Sequence, residues 1–149
     1  MIAEYVGRAL PSSRPYVVGR EKVREFALAV GEGASVCTDL DAARAAGHPD
    51  LVAPPTFAVT FTIPMMEAFL SDPAVGWDYG RMVHGDQAFT MHRPLYAGDE
   101  VLTTLHVDEL RTRGGSLFLT LRFEITDAAG APVLTGLSMF VTAASEESS

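Results

Sequence analysis

From Ser116 to Asp127 apolar side chains recur at every second position: Leu117, Leu119, Leu121, Phe123 and Ile125. A period of two puts all five on one face of an extended chain and the residues between them on the other. A strand with this pattern lays one face on a core while its backbone pairs with neighbouring strands. The sequence supplies those neighbours. Gly114-Gly115 reads as a hairpin turn, and before it Glu100–Arg111 alternates Val101, Thr103, Leu105 and Val107 with Leu102, Thr104, His106 and Asp108. Ala128-Ala129-Gly130 turns the chain again into a strand from Pro132 to Ala143, and a further run, Gln87–His92, ends at Arg93-Pro94 ahead of the Gly98-Asp99 turn. The expectation is three or four long antiparallel strands in a meander.

The N-terminal half supplies the cover for that one-sided sheet. Val23, Phe26, Ala27 and Val30 fall at helical spacing in a segment opened by Gly19 and stopped by Gly31. Asp39–Ala46 reads as a second short helix with Thr38 or Asp39 as its cap and Gly47 as its end. A third helix is expected to start after Pro54-Pro55 and run to about Leu70, apolar on most sides and therefore buried, with a kink at Pro64. A buried helix needs wrapping and a one-faced sheet needs covering, so each completes the other. The fold class is therefore α+β, one long central helix wrapped by an antiparallel sheet. Sheet edges left open make dimerisation by sheet extension a reasonable further expectation.

The chain has 149 residues, the size of one domain, and carries a formal net charge of -8. That charge argues against nucleic acid and anionic membranes as partners. An acidic carrier protein would need a local arginine patch, for which Arg81, Arg93, Arg111, Arg113 and Arg122 are available. The single cysteine, Cys37, forms no internal disulfide, and Met1–Arg8 shows no basic region followed by an apolar stretch, so a cytoplasmic location is expected. The tail Ser145–Ser149 reads as disordered. His48, His84, His92 and His106 show no metal-ligand spacing, and neither a phosphate loop nor a dinucleotide fingerprint occurs, so no metal and no cofactor is expected.

Four segments carry a resemblance: Tyr16–Ala27, Ala53-Pro54-Pro55-Thr56-Phe57, Val83-His84-Gly85-Asp86-Gln87 and Arg93-Pro94-Leu95-Tyr96-Ala97-Gly98-Asp99. In their order and spacing they resemble the MaoC-like dehydratase N-terminal family, from about Val6 to Ala143. Within it the chain is similar to the non-catalytic subunits of the mycobacterial (3R)-hydroxyacyl-carrier dehydratase and to related actinobacterial proteins. The resemblance implies a single hot-dog domain over residues 1–144, a homodimer or a heterodimer with a second hot-dog subunit, and (R)-specific hydration or dehydration of an enoyl/3-hydroxyacyl thioester carried on CoA or a carrier protein.

Active members of the family carry a stretch that begins Gly-Asp, has Asn-Pro in its middle and ends in His. Here it is Gly31-Glu32-Gly33-Ala34-Ser35-Val36-Cys37, with Glu32 at the place of the catalytic Asp and Cys37 at that of the His. Syn dehydration takes a proton from C2 and gives one to the C3 hydroxyl, work for a tuned acid–base pair. A donor at the start of the central helix polarises the thioester carbonyl; Pro54 and Pro55 have no N–H to give, whereas Thr56 and Phe57 do. Glu32 reads either as a substitute base or as a solvated carboxylate past a helix end, and Cys37 either as a weak acid or as a small buried hydrophobe. His84 reads either as a proton shuttle paired with Asp86 or, with Asp86, as a fixer of a glycine-centred turn. Candidate catalytic residues are thus Glu32, His84 and Asp86, and candidate substrate contacts are Cys37, Pro55, Thr56, Phe57, Val59, Gly85 and Gln87. Three functions remain open: an acyl-thioester-binding subunit beside a catalytic partner, a self-sufficient homodimer with a rebuilt site, and a non-enzymatic acyl-CoA-binding protein.

Overall fold

The computed structural model describes residues 1–144, so the tail expected at Ser145–Ser149 lies outside the described residues. Six strands form one antiparallel sheet: β1 (Ala9–Pro11), β2 (Tyr16–Val17), β3 (Val83–Met91), β4 (Glu100–Arg113), β5 (Ser116–Asp127) and β6 (Pro132–Ala143). Three α-helices accompany them, α1 (Arg20–Ala29), α2 (Leu40–Ala45) and α3 (Val59–Leu70). The α+β architecture, with a helix laid on an antiparallel sheet, is as expected from the patterning.

The meander holds for β4, β5 and β6, which pair in sequence order. It fails for β3, which crosses over to pair with β6 at the far edge of the sheet, in the order β1-β4-β5-β6-β3. The open side of β4 is taken by β1 and β2, two strands too short to show an alternating pattern. The register places Leu105, Phe123 and Gly136 in one row and Val107, Leu121 and Ser138 in the next, all on the face toward α3. Leu105, Val107, Leu119, Leu121, Phe123, Ile125, Leu134 and Phe140 are buried there against Phe57, Met66 and Leu70. Side chains of this size each contribute about 1.5–3 kcal/mol on burial.

The third helix differs from expectation in two ways. It begins at Val59, not directly after Pro54-Pro55. Proline disfavours the α conformation in the residue before it, and the entry runs instead through short turns, Phe57 N–H to the Pro54 carbonyl and Val59 N–H to the Thr56 carbonyl. The helix is also buried along one stripe only, Thr62, Met66 and Leu70, while Pro64, Glu67 and Ala68 are exposed. Tyr16 stacks on Phe61 at 4.6 Å and Tyr5 meets Phe69 edge-on at 5.2 Å, so the N-terminal segment covers part of the remaining face. In α1, Val23 and Ala27 are buried as expected, but Val30 lies past the helix end and is 52% exposed.

The strand expected at Gln87–His92 starts four residues earlier, at Val83. The turn read at Gly85 is a β-bulge: His84 faces Phe140 and Asp86 faces the adjacent Met139, leaving Gly85 as the extra residue. β3 is an edge strand exposed over most of its length, with Val83 61% exposed.

Candidate functional site

Three of the four resembling segments become neighbours in space. Tyr96 bridges Val52, with Ala53 N–H donating to the Leu95 carbonyl at 2.8 Å and Ala97 N–H to the Leu51 carbonyl at 2.9 Å. Val18 N–H donates to the Asp99 carbonyl at 2.9 Å, Gly98 N–H returns to the Val18 carbonyl at 2.7 Å, and Val52 N–H reaches the Val36 carbonyl at 2.9 Å. Segments 16–19, 31–37, 51–57 and 93–99 are thus knitted into one layer at the start of α3. Gly98 has φ +91°, a conformation that side chains resist. Arg93 clamps the loop by donating twice to Asp99, from Nη1 to Oδ2 at 2.8 Å and from Nη2 to Oδ1 at 3.2 Å, and this pairing raises the Arg93 guanidinium pKa above its ordinary value.

This layer borders an open cavity of about 450 Å³. Glu32, Cys37, Pro54 and Pro55 line one side, and Met91, His92 and Arg93 the other. Glu32 and Cys37, placed together by the sequence, therefore do share a cavity. Cys37 is 4% exposed, and burial first, then the charge of Glu32, pushes its thiol pKa up. The Glu32 carboxylate accepts the Ala34 N–H at 3.0 Å. His92, the last residue of the run expected at Gln87–His92, bonds Thr135 at 3.0 Å and also lines the cavity. Its one sequence signal was adjacency to the Arg93-Pro94 motif.

The donors expected at the helix start divide. The Phe57 N–H is spent on the Pro54 carbonyl at 2.9 Å, which corrects the reading of it as a free donor. The Thr56 N–H has no acceptor among the described residues, and Thr56 is exposed. The Phe57 side chain is fully buried, and Val59 is half-buried at the first helical turn.

The Val83–Gln87 segment lies elsewhere. His84 is seven residues up the strand from Met91, about 23 Å at 3.3 Å per residue. Its ring stacks on Phe140 at 4.8 Å, facing α3 beside Met66 and Gln87. Gln87 accepts the Ser138 hydroxyl at 2.6 Å and donates to the Leu137 carbonyl at 3.0 Å. The bulge at Gly85 turns Asp86 to the opposite face of the sheet, where it accepts the Gln87 N–H at 2.8 Å. The expected pairing of His84 with Asp86 therefore does not form: the extra residue shifts the alternation by one.

The arginine patch is largely neutralised. Arg81 pairs with Asp78, Arg93 with Asp99, Arg111 with Glu109, and Arg122 with Asp108 and Glu124. Of those five, Arg113 alone lacks a carboxylate partner among the described residues. Those residues contain no cluster suited to a metal ion and no helix long and apolar enough to cross a membrane.

Comparison with known proteins gives a consistent result. The family model of the FAS1-like dehydratase domain region matches residues 4–136. A UPF0336 protein of Saccharopolyspora erythraea is 47% identical over 143 residues, covering 96% of this chain and 92% of that one. One from Clavibacter michiganensis is 50% identical over 138 residues, 93% of each. Among solved structures, a chain of the HadBC (3R-hydroxyacyl-ACP dehydratase) complex from Mycobacterium tuberculosis superposes with a TM-score of 0.85 at 27% identity, covering 95% of this chain and 99% of that one. A MaoC-like dehydratase gives 0.84 at 33% identity, covering 99% of this chain but 45% of that longer one. The hot-dog fold and the likeness to hydratase/dehydratase proteins follow, and the chain belongs to the FAS1-like dehydratase-region family.

Proposed function

We propose that the chain is an acyl-thioester-binding subunit of an (R)-specific enoyl/3-hydroxyacyl thioester hydratase-dehydratase, paired with a second hot-dog subunit that carries the proton-transfer groups. The observation that carries this reading is that Glu32 and Cys37, which by the resemblance stand at the positions of the acid–base pair, line one cavity at the start of α3. A general acid or base works best with a pKa near the working pH, and the Cys37 thiol is displaced away from it. Substrate contacts fall to Pro55, Val59 and the free N–H of Thr56, with Phe57 as the packed floor beneath. Gly85, Gln87 and His84 sit on the exposed edge strand, the side on which a second hot-dog sheet would extend this one. The similarity to a two-subunit dehydratase complex, and to a longer chain of which this one spans 45%, favours such a partner.

Hydration of crotonyl-CoA, followed as loss of enoyl absorbance, tests the proposal. No turnover by the chain alone, and turnover once a second hot-dog subunit with an intact Asp/His pair is added, is the expected outcome. Turnover by the chain alone, abolished by Glu32→Ala or His84→Ala, would establish instead a homodimer with a rebuilt site. Thioester binding without turnover under every pairing would make the chain an acyl-CoA-binding protein.

A further inference from the structure

A cavity larger than the one at the start of α3 lies elsewhere in the fold. It lies along the flank of α3, has a volume of about 590 Å³, and shares no lining residue with the other. Its outer wall is the loop between β1 and β2, tied down at both ends. Ser12 N–H donates to the Thr103 carbonyl at 2.7 Å, Thr103 N–H donates back to the Ser12 hydroxyl at 3.3 Å, and Tyr16 stacks on Phe61 at 4.6 Å. Pro11 and Pro15 further restrict that loop. The inner wall is the helix flank that the core leaves uncovered, Phe61, Pro64, Met65 and Ala68.

Ser12, Ser13 and Thr103 add hydroxyls to this mainly apolar lining, and two further polar groups stand out. The Thr60 hydroxyl is buried and has no hydrogen-bond partner, whereas Thr62, two residues on, donates its hydroxyl to the Ala58 carbonyl at 3.0 Å. Pro64, with no N–H, also cannot donate to the Thr60 carbonyl four residues back. At the exposed mouth stands Arg14, which has no carboxylate within ion-pair distance among the described residues, although the chain carries a net charge of -8. A mainly apolar groove with several hydroxyls and one cation at its mouth has the make-up of a small-molecule site.

We propose that this groove binds an aliphatic carboxylate, its head on the Arg14 guanidinium and its chain along Phe61, Pro64, Met65 and Ala68. A guanidinium offers two parallel N–H donors that match a carboxylate. The inference stands on the groove alone and does not depend on the acyl-thioester reading, because neither Glu32 nor Cys37 takes part.

The test is a titration of the full chain with decanoate, and separately with decanol, followed by backbone amide chemical shifts. Decanoate shifts the amides of residues 12–16 and 60–68 and leaves those of 32–37 and 91–94 in place. Arg14→Ala weakens decanoate about fivefold and leaves decanol unchanged, as an accessible ion pair predicts. Ala68→Trp fills the groove and removes both ligands. Arg14→Ala replaces an exposed loop residue and keeps the test decisive if the tryptophan variant fails to fold. Shifts confined to the other cavity, no saturable shifts with decanoate, or equal decanoate affinity in Arg14→Ala would each overturn the assignment.

Discussion

Arg93 and Asp99 face each other across a five-residue loop as a two-pronged ion pair, with oxygen–nitrogen distances of 2.8 and 3.2 Å. The same carboxylate accepts the Tyr96 N–H at 2.8 Å, so Asp99 holds both the side chain that opens the loop and the backbone at its turn. Through Leu95 and Ala97 the loop then fixes the Leu51–Ala53 segment that leads to the cavity. The motif Arg93-Pro94-Leu95-Tyr96-Ala97-Gly98-Asp99 thus has a structural meaning of its own.

Both side chains are partly exposed, 31% and 20%, which moderates the pair's value. Asp99→Ala is expected to cost about 1–2 kcal/mol, since it also leaves the Tyr96 N–H without its acceptor. Arg93→Ala should cost less. Urea unfolding of both single variants and the double variant checks this: if the two losses simply add, the pair is not coupled.

Arg20 pairs with Asp50 at 2.8 Å, and this hydrogen bond lowers the Asp50 pKa below its ordinary value. A carboxylate whose pKa is lower in the folded state contributes stability above its unfolded value, about 4, and loses it as the pH falls through the folded one. Wild type should therefore be more stable than Asp50→Asn at pH 6, with the difference vanishing in strong acid. Unfolding midpoints from pH 6 down to pH 2 test this; a difference that grows toward low pH would refute it.

Cys37 is the opposite case. Burial raises its thiol pKa, with the Glu32 carboxylate adding to the effect. The neutral form is favoured by the fold, so its contribution to stability is complete below the ordinary thiol value and is lost as the pH rises through the raised one. At pH 8 the native chain should alkylate with iodoacetamide at least about tenfold more slowly than the unfolded chain. Glu32→Gln should speed the native reaction by removing the nearby charge. A native rate equal to the unfolded one would contradict this placement of Cys37.

Phe89 lies over Gly136, its registered partner on β6, and a methyl group on that glycine would stand 3.2 Å from the ring. Gly136→Ala is expected to destabilise by about 1–2 kcal/mol through overpacking. Phe89→Leu should recover part of that loss in the double variant, a coupling measurable by thermal unfolding.

The long strands were legible because period-two alternation survives wherever one face is buried, as from Leu117 to Ile125. The crossover of β3 was not, because nothing in Gln87–Met91 tells β4 from β6 as its partner; that choice is made by the core as a whole. The Gly85 bulge was hidden for a related reason. Val83-His84-Gly85-Asp86 is exposed on an edge strand, so no hydrophobic pattern marks its register, and glycine signals turn and bulge alike. In the candidate site, Glu32 and Cys37 could be placed by alignment with a motif. His92 entered the cavity through the fold of the 93–99 loop, a tertiary effect that its adjacency to Arg93-Pro94 does not by itself record.

The exposed edge of β3 gives the last prediction, which rests on the proposed partner. Its outward ladder is unpaired in the single chain, and Ala88 lies exposed at its middle. Sheet extension across this edge would bring Ala88 close to the partner strand and strip water from whatever stands there. Ala88→Lys should leave the stability of the isolated chain within about 0.5 kcal/mol, as for most surface changes. It should weaken assembly with the second hot-dog subunit about tenfold or more, the usual penalty of a charge set on a sheet edge. Sedimentation of the isolated chain and of the mixture separates the two effects. Undiminished assembly by the variant would place the partner on another surface and leave this edge open in the complex.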